Sequence, residues 1–139
     1  MLQTAEILLV EDNRADEVLL KEALNHIGWP HSIQVAQNGV EALIFLRQRV
    51  ITGAPRPDLI VLDLNLPMLS GREVLADIRP DPDLGQIPVI ILTSSRADYD
   101  ILSVYGLPED AYIVKPLLFE GYVEVGKRIR GFWQQANSR

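Results

Sequence analysis

Cysteine is absent from this chain of 139 residues. That excludes disulfides, thiol catalysis and thiolate metal sites. Long apolar runs are missing too, and none approaches the roughly 18 residues that a membrane-crossing helix needs. The opening Met1-Leu2-Gln3-Thr4-Ala5-Glu6 lacks the basic stretch that begins a signal peptide. Basic residues are in deficit, 13 against 19 acidic, for a net charge of −6 and a pI near 4.8. An acidic domain is a poor non-specific binder of nucleic acid. There is no internal repeat, low-complexity segment or interior linker. A single domain over residues 1–139 is expected, soluble and cytoplasmic, with neither membrane nor nucleic acid as partner. Hydrophobic residues make up 47% of the chain, enough for a sizeable core at this length.

The residues present alternate between two patterns. Ile7-Leu8-Leu9-Val10 reads as a first strand and stops at Glu11-Asp12-Asn13. Val18, Leu19, Ala23, Leu24 and Ile27 have helical spacing, closed by Gly28. Ser32–Ala36 alternates as a second strand, and Asn38 caps a helix carrying Ala42, Leu43, Leu46 and Val50. Leu59-Ile60-Val61-Leu62 is apolar throughout, as in a strand buried on both faces, and ends in Asp63. Ser70 caps a third helix. Val89-Ile90-Ile91-Leu92 is a fourth strand ending at Thr93, and a helix through Ile101, Leu102 and Tyr105 follows. Ala111–Val114 is a fifth strand ending at Lys115-Pro116, before a last helix carrying Tyr122, Val125 and Ile129. Alternating strands and helices predict an α/β fold with a doubly wound parallel sheet. For five strands the flavodoxin-like order 2-1-3-4-5 is expected.

Parallel strands send their carboxyl ends to one edge, where open α/β sheets place their chemistry. Four of these ends are polar: Glu11-Asp12, Asp63, Thr93 and Lys115. Three acids packed together repel one another, and a cation offsets that repulsion. Hard oxygen donors without Cys or convergent His suit Mg²⁺ ahead of Mn²⁺ or Ca²⁺. The Lys115 ammonium and the Thr93 hydroxyl complete a pocket for a small anionic group, with phosphoryl the natural candidate. Asp63 itself could be the nucleophile that forms an acyl phosphate. Taken singly, each residue has a plainer role: helix-starting acids, an N-cap cluster at Thr93-Ser94-Ser95, a solvated lysine. Their coincidence at four strand ends argues against that.

The stretches Ile7–Asn13, Pro57–Gly71, Pro88–Ser94 and Ala111–Pro116 come in the order seen in receiver domains of two-component response regulators, and the chain resembles that family over nearly its whole length. The resemblance implies that Asp63 accepts a phosphoryl group from a phosphohistidine on a sensor histidine kinase. It implies Mg²⁺ held by Asp12 and Asp63, with the Asn65 backbone carbonyl as a further ligand and Glu11 acting mainly through water. Lys115, the Thr93 hydroxyl and the Ser94 N–H would hold the phosphoryl oxygens. Ser94 stands where a small Ala or Gly is often found. Asn65 and Ser95 match positions that tune autodephosphorylation. Tyr112 matches the family's switch aromatic, although a half-buried strand tyrosine with a wet hydroxyl fits equally well. Lys115-Pro116 matches a bond usually cis in the family, which would aim the lysine.

Little chain follows the fifth helix, so no output domain is expected and the output would be a change in protein contacts. Lys127, Arg128, Arg130 and Arg139 make the end basic. Phe132 and Trp133 near a terminus suggest exposed aromatics that a partner covers. A homodimer through the fourth and fifth helices and the fifth strand follows as an expectation. Arg49–Pro57, the helix around Asp100–Leu107 and Phe132-Trp133 resemble small response regulators that partner phytochrome-type histidine kinases. Two other classes compete. A haloacid-dehalogenase-like phosphatase also uses a strand-end Asp, but with D-x-D after the first strand. A flavodoxin-like cofactor binder needs a hydroxyl- or Gly-rich phosphate loop where Glu11-Asp12 stands.

Overall fold

The computed structural model describes residues 4–137. Arg139 of the basic end and Met1–Gln3 of the amino-terminal reading lie outside the described residues. The elements run β1 (Ala5–Val10), α1 (Arg14–His26), β2 (His31–Ala36), α2 (Gly39–Thr52), β3 (Leu59–Leu62), α3 (Gly71–Ile78), β4 (Val89–Thr93), α4 (Ile101–Tyr105), β5 (Tyr112–Val114) and α5 (Phe119–Ala136). Ala111, expected to open the fifth strand, belongs instead to a 3₁₀ turn over Glu109–Ala111. The sheet is wholly parallel, in the expected order β2-β1-β3-β4-β5.

Side chains of each strand alternate between two helical layers. Leu8, Val10, Ile60, Leu62 and Ile91 pack with Leu46 of α2, Leu75 of α3 and Ile101 of α4. Ile7, Leu9, Leu59, Val61 and Ile90 pack with Leu20 and Leu24 of α1 and Tyr122 and Ile129 of α5. Burial on both faces explains why β3 reads as a continuous apolar run rather than an alternating one. The predicted caps are in place. Asn38 Oδ1 accepts the Glu41 N–H at 2.8 Å. Ser70 and Glu73 form a reciprocal capping box on α3. A third cap, Asn13 Oδ1 accepting the Asp16 N–H at 3.0 Å, starts α1.

Register levels the strand ends. Val10 lies beside Leu62, so the next residues, Glu11 and Asp63, emerge side by side. The Asp63 N–H donates to the Val10 carbonyl at 3.1 Å. Thr93 lies beside Val114, and the Lys115 N–H continues the ladder by donating to the Thr93 carbonyl at 2.7 Å.

The carboxyl-terminal aromatics differ from expectation. Phe132 and Trp133 pack against the chain's own core, and Trp133 sits against Trp29 with ring centroids 5.6 Å apart. The residues after α1 turn back under the end of α5, so this chain supplies its own cover for them.

Gly71 ties the fold to the strand end. A Cβ there would lie 2.4 Å from the Asp63 carbonyl oxygen and 2.7 Å from Leu64 Cα, both backbone atoms. Alanine normally gains about 0.5–1 kcal/mol over glycine in a helix. Here the clash reverses the sign, and Gly71→Ala should lose about 1–3 kcal/mol. Urea unfolding checks this: an unchanged or raised midpoint would show that the α3 start can move away from β3.

Candidate functional site

Asp63 and Glu11 are buried at the ends of β3 and β1, and Asp12 beside them is exposed. One carboxylate oxygen from each of the three lies within 4.8 Å of the others. This set of hard oxygen donors fits a divalent cation. Asp63 is held at both oxygens. Its Oδ1 accepts the Asn65 backbone N–H at 3.1 Å, and its Oδ2 accepts from Lys115 Nζ at 2.8 Å. Asn65 itself is exposed, just beyond the strand end.

Lys115 reaches three carboxylates at once. Its Nζ is 2.8 Å from Glu11 Oε1, 2.8 Å from Asp16 Oδ2 and 2.8 Å from Asp63 Oδ2. Burial works against the ammonium charge, but the hydrogen bonds to Asp16, Asp63 and Glu11 outweigh it and raise the pKa. One cation cannot offset three anions, and the deficit falls on the most buried of them. Burial pushes Glu11 up to about 7. The Lys115 hydrogen bond opposes the rise and the Asp63 charge adds to it.

Sequence reasoning missed Asp16. It lies in the first turn of α1, where acids are common for reasons of helix polarity alone, so its residue type carried no signal. Only the approach of α5 reveals it: the buried Tyr122 hydroxyl donates to Asp16 Oδ1 at 3.3 Å. Burial and the Asp16 charge raise the Tyr122 pKa, which keeps this phenol a donor.

The Thr93 hydroxyl is fully buried at the end of β4 and has no hydrogen-bond partner among the described residues. Such a group costs about 1–3 kcal/mol until a partner arrives. Ser94 next to it is exposed. The Ser95 hydroxyl accepts the Ala97 N–H at 2.9 Å within a turn, and the cap position of α4 falls to Asp100 rather than to the Thr93–Ser95 cluster. Tyr112 is buried rather than half-buried, and its hydroxyl donates to the Ser95 carbonyl instead of to water. Tyr99 packs edge-on against it at 5.2 Å. Arg72 of α3 binds Asp98 at 3.2 Å and Asp100 at 2.7 Å, which fastens the far part of the same loop.

The expected cis bond is not there: among the described residues no peptide bond is cis, Lys115-Pro116 included. An X-Pro bond prefers trans by about 0.5–1 kcal/mol. The lysine needs no such aid, since the Thr93 carbonyl fixes its backbone and three carboxylates fix its ammonium.

A doubly wound parallel domain with an acidic cluster and a lysine at the level ends of its strands defines a class of phosphoryl-handling signalling domains. Comparison makes the class specific. Residues 7–124 match the response regulator receiver domain, and the chain belongs to that family. Response regulator Rcp1 of Synechocystis sp. is 41% identical over 128 residues, covering 91% of this chain and 87% of its own. Among solved structures, the phosphorylated cyanobacterial phytochrome response regulator RcpA is 44% identical with a TM-score of 0.80, covering 94% of each chain. The Mn²⁺-bound form of Rcp1 is 40% identical with a TM-score of 0.78, covering 93% of this chain and 94% of its own. Neither the phosphatase nor the flavodoxin-like cofactor reading gains support from any of these. No helix among the described residues is long and apolar enough to cross a membrane.

Glu11 gives the site a pH signature. Its folded value near 7 exceeds the ordinary 4.5, so the folded chain holds this proton longer than the unfolded one. Stability therefore falls as pH rises from about 4.5 through about 7. Glu11→Gln cannot titrate and should flatten that slope, read as urea midpoints at about pH 5 and about pH 7.5. Parallel slopes for the two proteins would contradict the assignment.

Proposed function

We propose that the chain is a stand-alone response regulator in which Asp63 accepts a phosphoryl group from a sensor histidine kinase. The observation that carries this is the Asp63 carboxylate, buried at a strand end with Lys115 at 2.8 Å and Glu11 and Asp12 beside it. An Asp63 oxygen would attack phosphorus. The bond from phosphorus to the imidazole nitrogen would break, and the imidazole would leave with the electron pair and take up a proton. Lys115 would orient the incoming oxygens, while the Thr93 hydroxyl, now without a partner, and the Ser94 N–H would donate to them.

Glu11, Asp12, Asp63 and the Asn65 carbonyl would hold Mg²⁺, which supplies positive charge where two anions meet. The chemistry of the donors supports this, as does the Mn²⁺-bound relative. Asn65 and Ser95 would set how fast the acyl phosphate hydrolyses. Tyr112 would act as the switch aromatic. Its hydroxyl bond to the loop that follows Thr93 supports that role.

The partner is a phytochrome-type kinase in this reading, supported by relatives described as phytochrome and bacteriophytochrome response regulators. A homodimer through α4, β5 and α5 is supported by Val104, exposed on α4, and by Tyr99, exposed in the turn before it. Phe132 and Trp133 no longer argue for it. The setting is the cytoplasm in this reading.

With acetyl phosphate and Mg²⁺, intact mass should show one added phosphoryl group on the wild type and none on Asp63→Asn. Uptake by Asp63→Asn at the wild-type rate would sink the proposal. Asp12→Asn removes a cation ligand and should weaken Mg²⁺ binding by about tenfold or more, measured by titration calorimetry. An unchanged affinity would move the metal elsewhere. In phosphotransfer assays with several kinases, a phytochrome kinase should be the preferred donor; equal rates with all would remove that partner.

A further inference from the structure

An ammonium has three N–H donors. In Lys115 three carboxylates engage them: Glu11, Asp16 and Asp63, each at 2.8 Å. If Asp63 is the phosphoacceptor, on which this inference rests, the phosphoryl oxygens also need that ammonium. One present partner must then give way. Acylation removes the Asp63 charge, but the phosphoryl group it gains stays beside the ammonium with more than one oxygen to satisfy, so the place of Asp63 alone does not suffice. Glu11 is buried, and its second oxygen accepts the Asn13 N–H at 3.2 Å. Asp16 is placed differently. Its side chain is 24% exposed, and its other oxygen already has the Tyr122 hydroxyl at 3.3 Å. Without the ammonium it keeps Tyr122 and gains water.

We infer that Asp16 is the displaceable counter-anion of Lys115. Before transfer it competes for the ammonium beside Asp63, and it yields that ammonium to the phosphoryl group as the group arrives. When acetyl phosphate is the donor, an Asp63 oxygen forms the new bond to phosphorus. The bond from phosphorus to the acetate oxygen breaks, and acetate leaves with the electron pair. The arriving group brings about two negative charges. In a partly wet position these outcompete the single charge of Asp16. Tyr122 keeps the released carboxylate at the start of α1.

The test compares acyl phosphate formation, from acetyl phosphate and Mg²⁺, in the wild type, Asp16→Asn, Lys115→Gln and the double variant. Asp16→Asn should react about threefold faster, the size of a partly exposed ion pair. The gain should vanish in the Lys115→Gln background, since the two residues act through one contact. A rate equal to or below wild type, or a gain that persists without Lys115, overturns the inference. A merely structural role for Asp16 would not produce that dependence on Lys115.

If Lys115→Gln fails to fold, a crystal structure of the full wild-type chain with Mg²⁺ and beryllium trifluoride, a phosphoryl mimic, decides instead. Asp16 should then lie beyond hydrogen-bond distance of Lys115 Nζ, and retention of the present 2.8 Å contact overturns the inference. A wild type that takes up no phosphoryl group removes the phosphoacceptor reading and this inference with it. A wild type phosphorylated at Asp63 and matched in rate by Asp16→Asn removes the inference alone.

Discussion

The attraction between the Lys115 ammonium and three carboxylates is the constraint around which the carboxyl edge of this sheet is arranged. Each anion comes from a different element: Glu11 from the end of β1, Asp63 from the end of β3, Asp16 from the first turn of α1. Without a common cation these groups could not share so small and dry a space, because unpaired buried charges cost several kcal/mol. The lysine therefore does two jobs. It makes the acidic cluster compatible with folding, and it leaves that cluster short of positive charge. Burial raises the pKa of Glu11 against the pull of Lys115, and the neighbouring Asp63 charge adds to the rise.

That shortage is what makes the site receptive. The cluster's oxygen donors fit a further cation, and the lysine would turn to a stronger anion. The unpartnered Thr93 hydroxyl belongs to the same logic. It is a buried donor held at a strand end beside the place where new acceptor oxygens would arrive. The site is under-satisfied in both charge and hydrogen bonding, and the rigid sheet beneath it carries that cost.

Most of this was legible in the order of residues. The run Leu59–Leu62 declared a strand buried on both faces, and Asp63 marked its end. Alternation of strands and helices gave the parallel sheet, and parallel strands gave the gathering of Glu11, Asp12, Thr93 and Lys115. What could not be read depends on packing between distant segments. Asp16 looks like any acid in a first helical turn until Tyr122, 106 positions later, is laid against it. Tyr112 looks amphipathic until the Ser95 carbonyl turns toward its hydroxyl. Phe132 and Trp133 look adhesive until Trp29 is found beneath them. The bond before Pro116 is trans, as most X-Pro bonds are.

Position in the sheet separates the two principal charges. β3, which carries Asp63, is central and hydrogen-bonded on both sides. β5, which carries Lys115, is a three-residue edge strand bonded on one side only. The anion thus follows a strand paired on both sides, and the cation follows a short strand paired on one. Fraying of the sheet would begin at its margins and reach the lysine before Asp63. Amide protons around Lys115 should accordingly exchange well before those of β3, and the coming and going of the cation becomes a property of the sheet margin rather than of its centre.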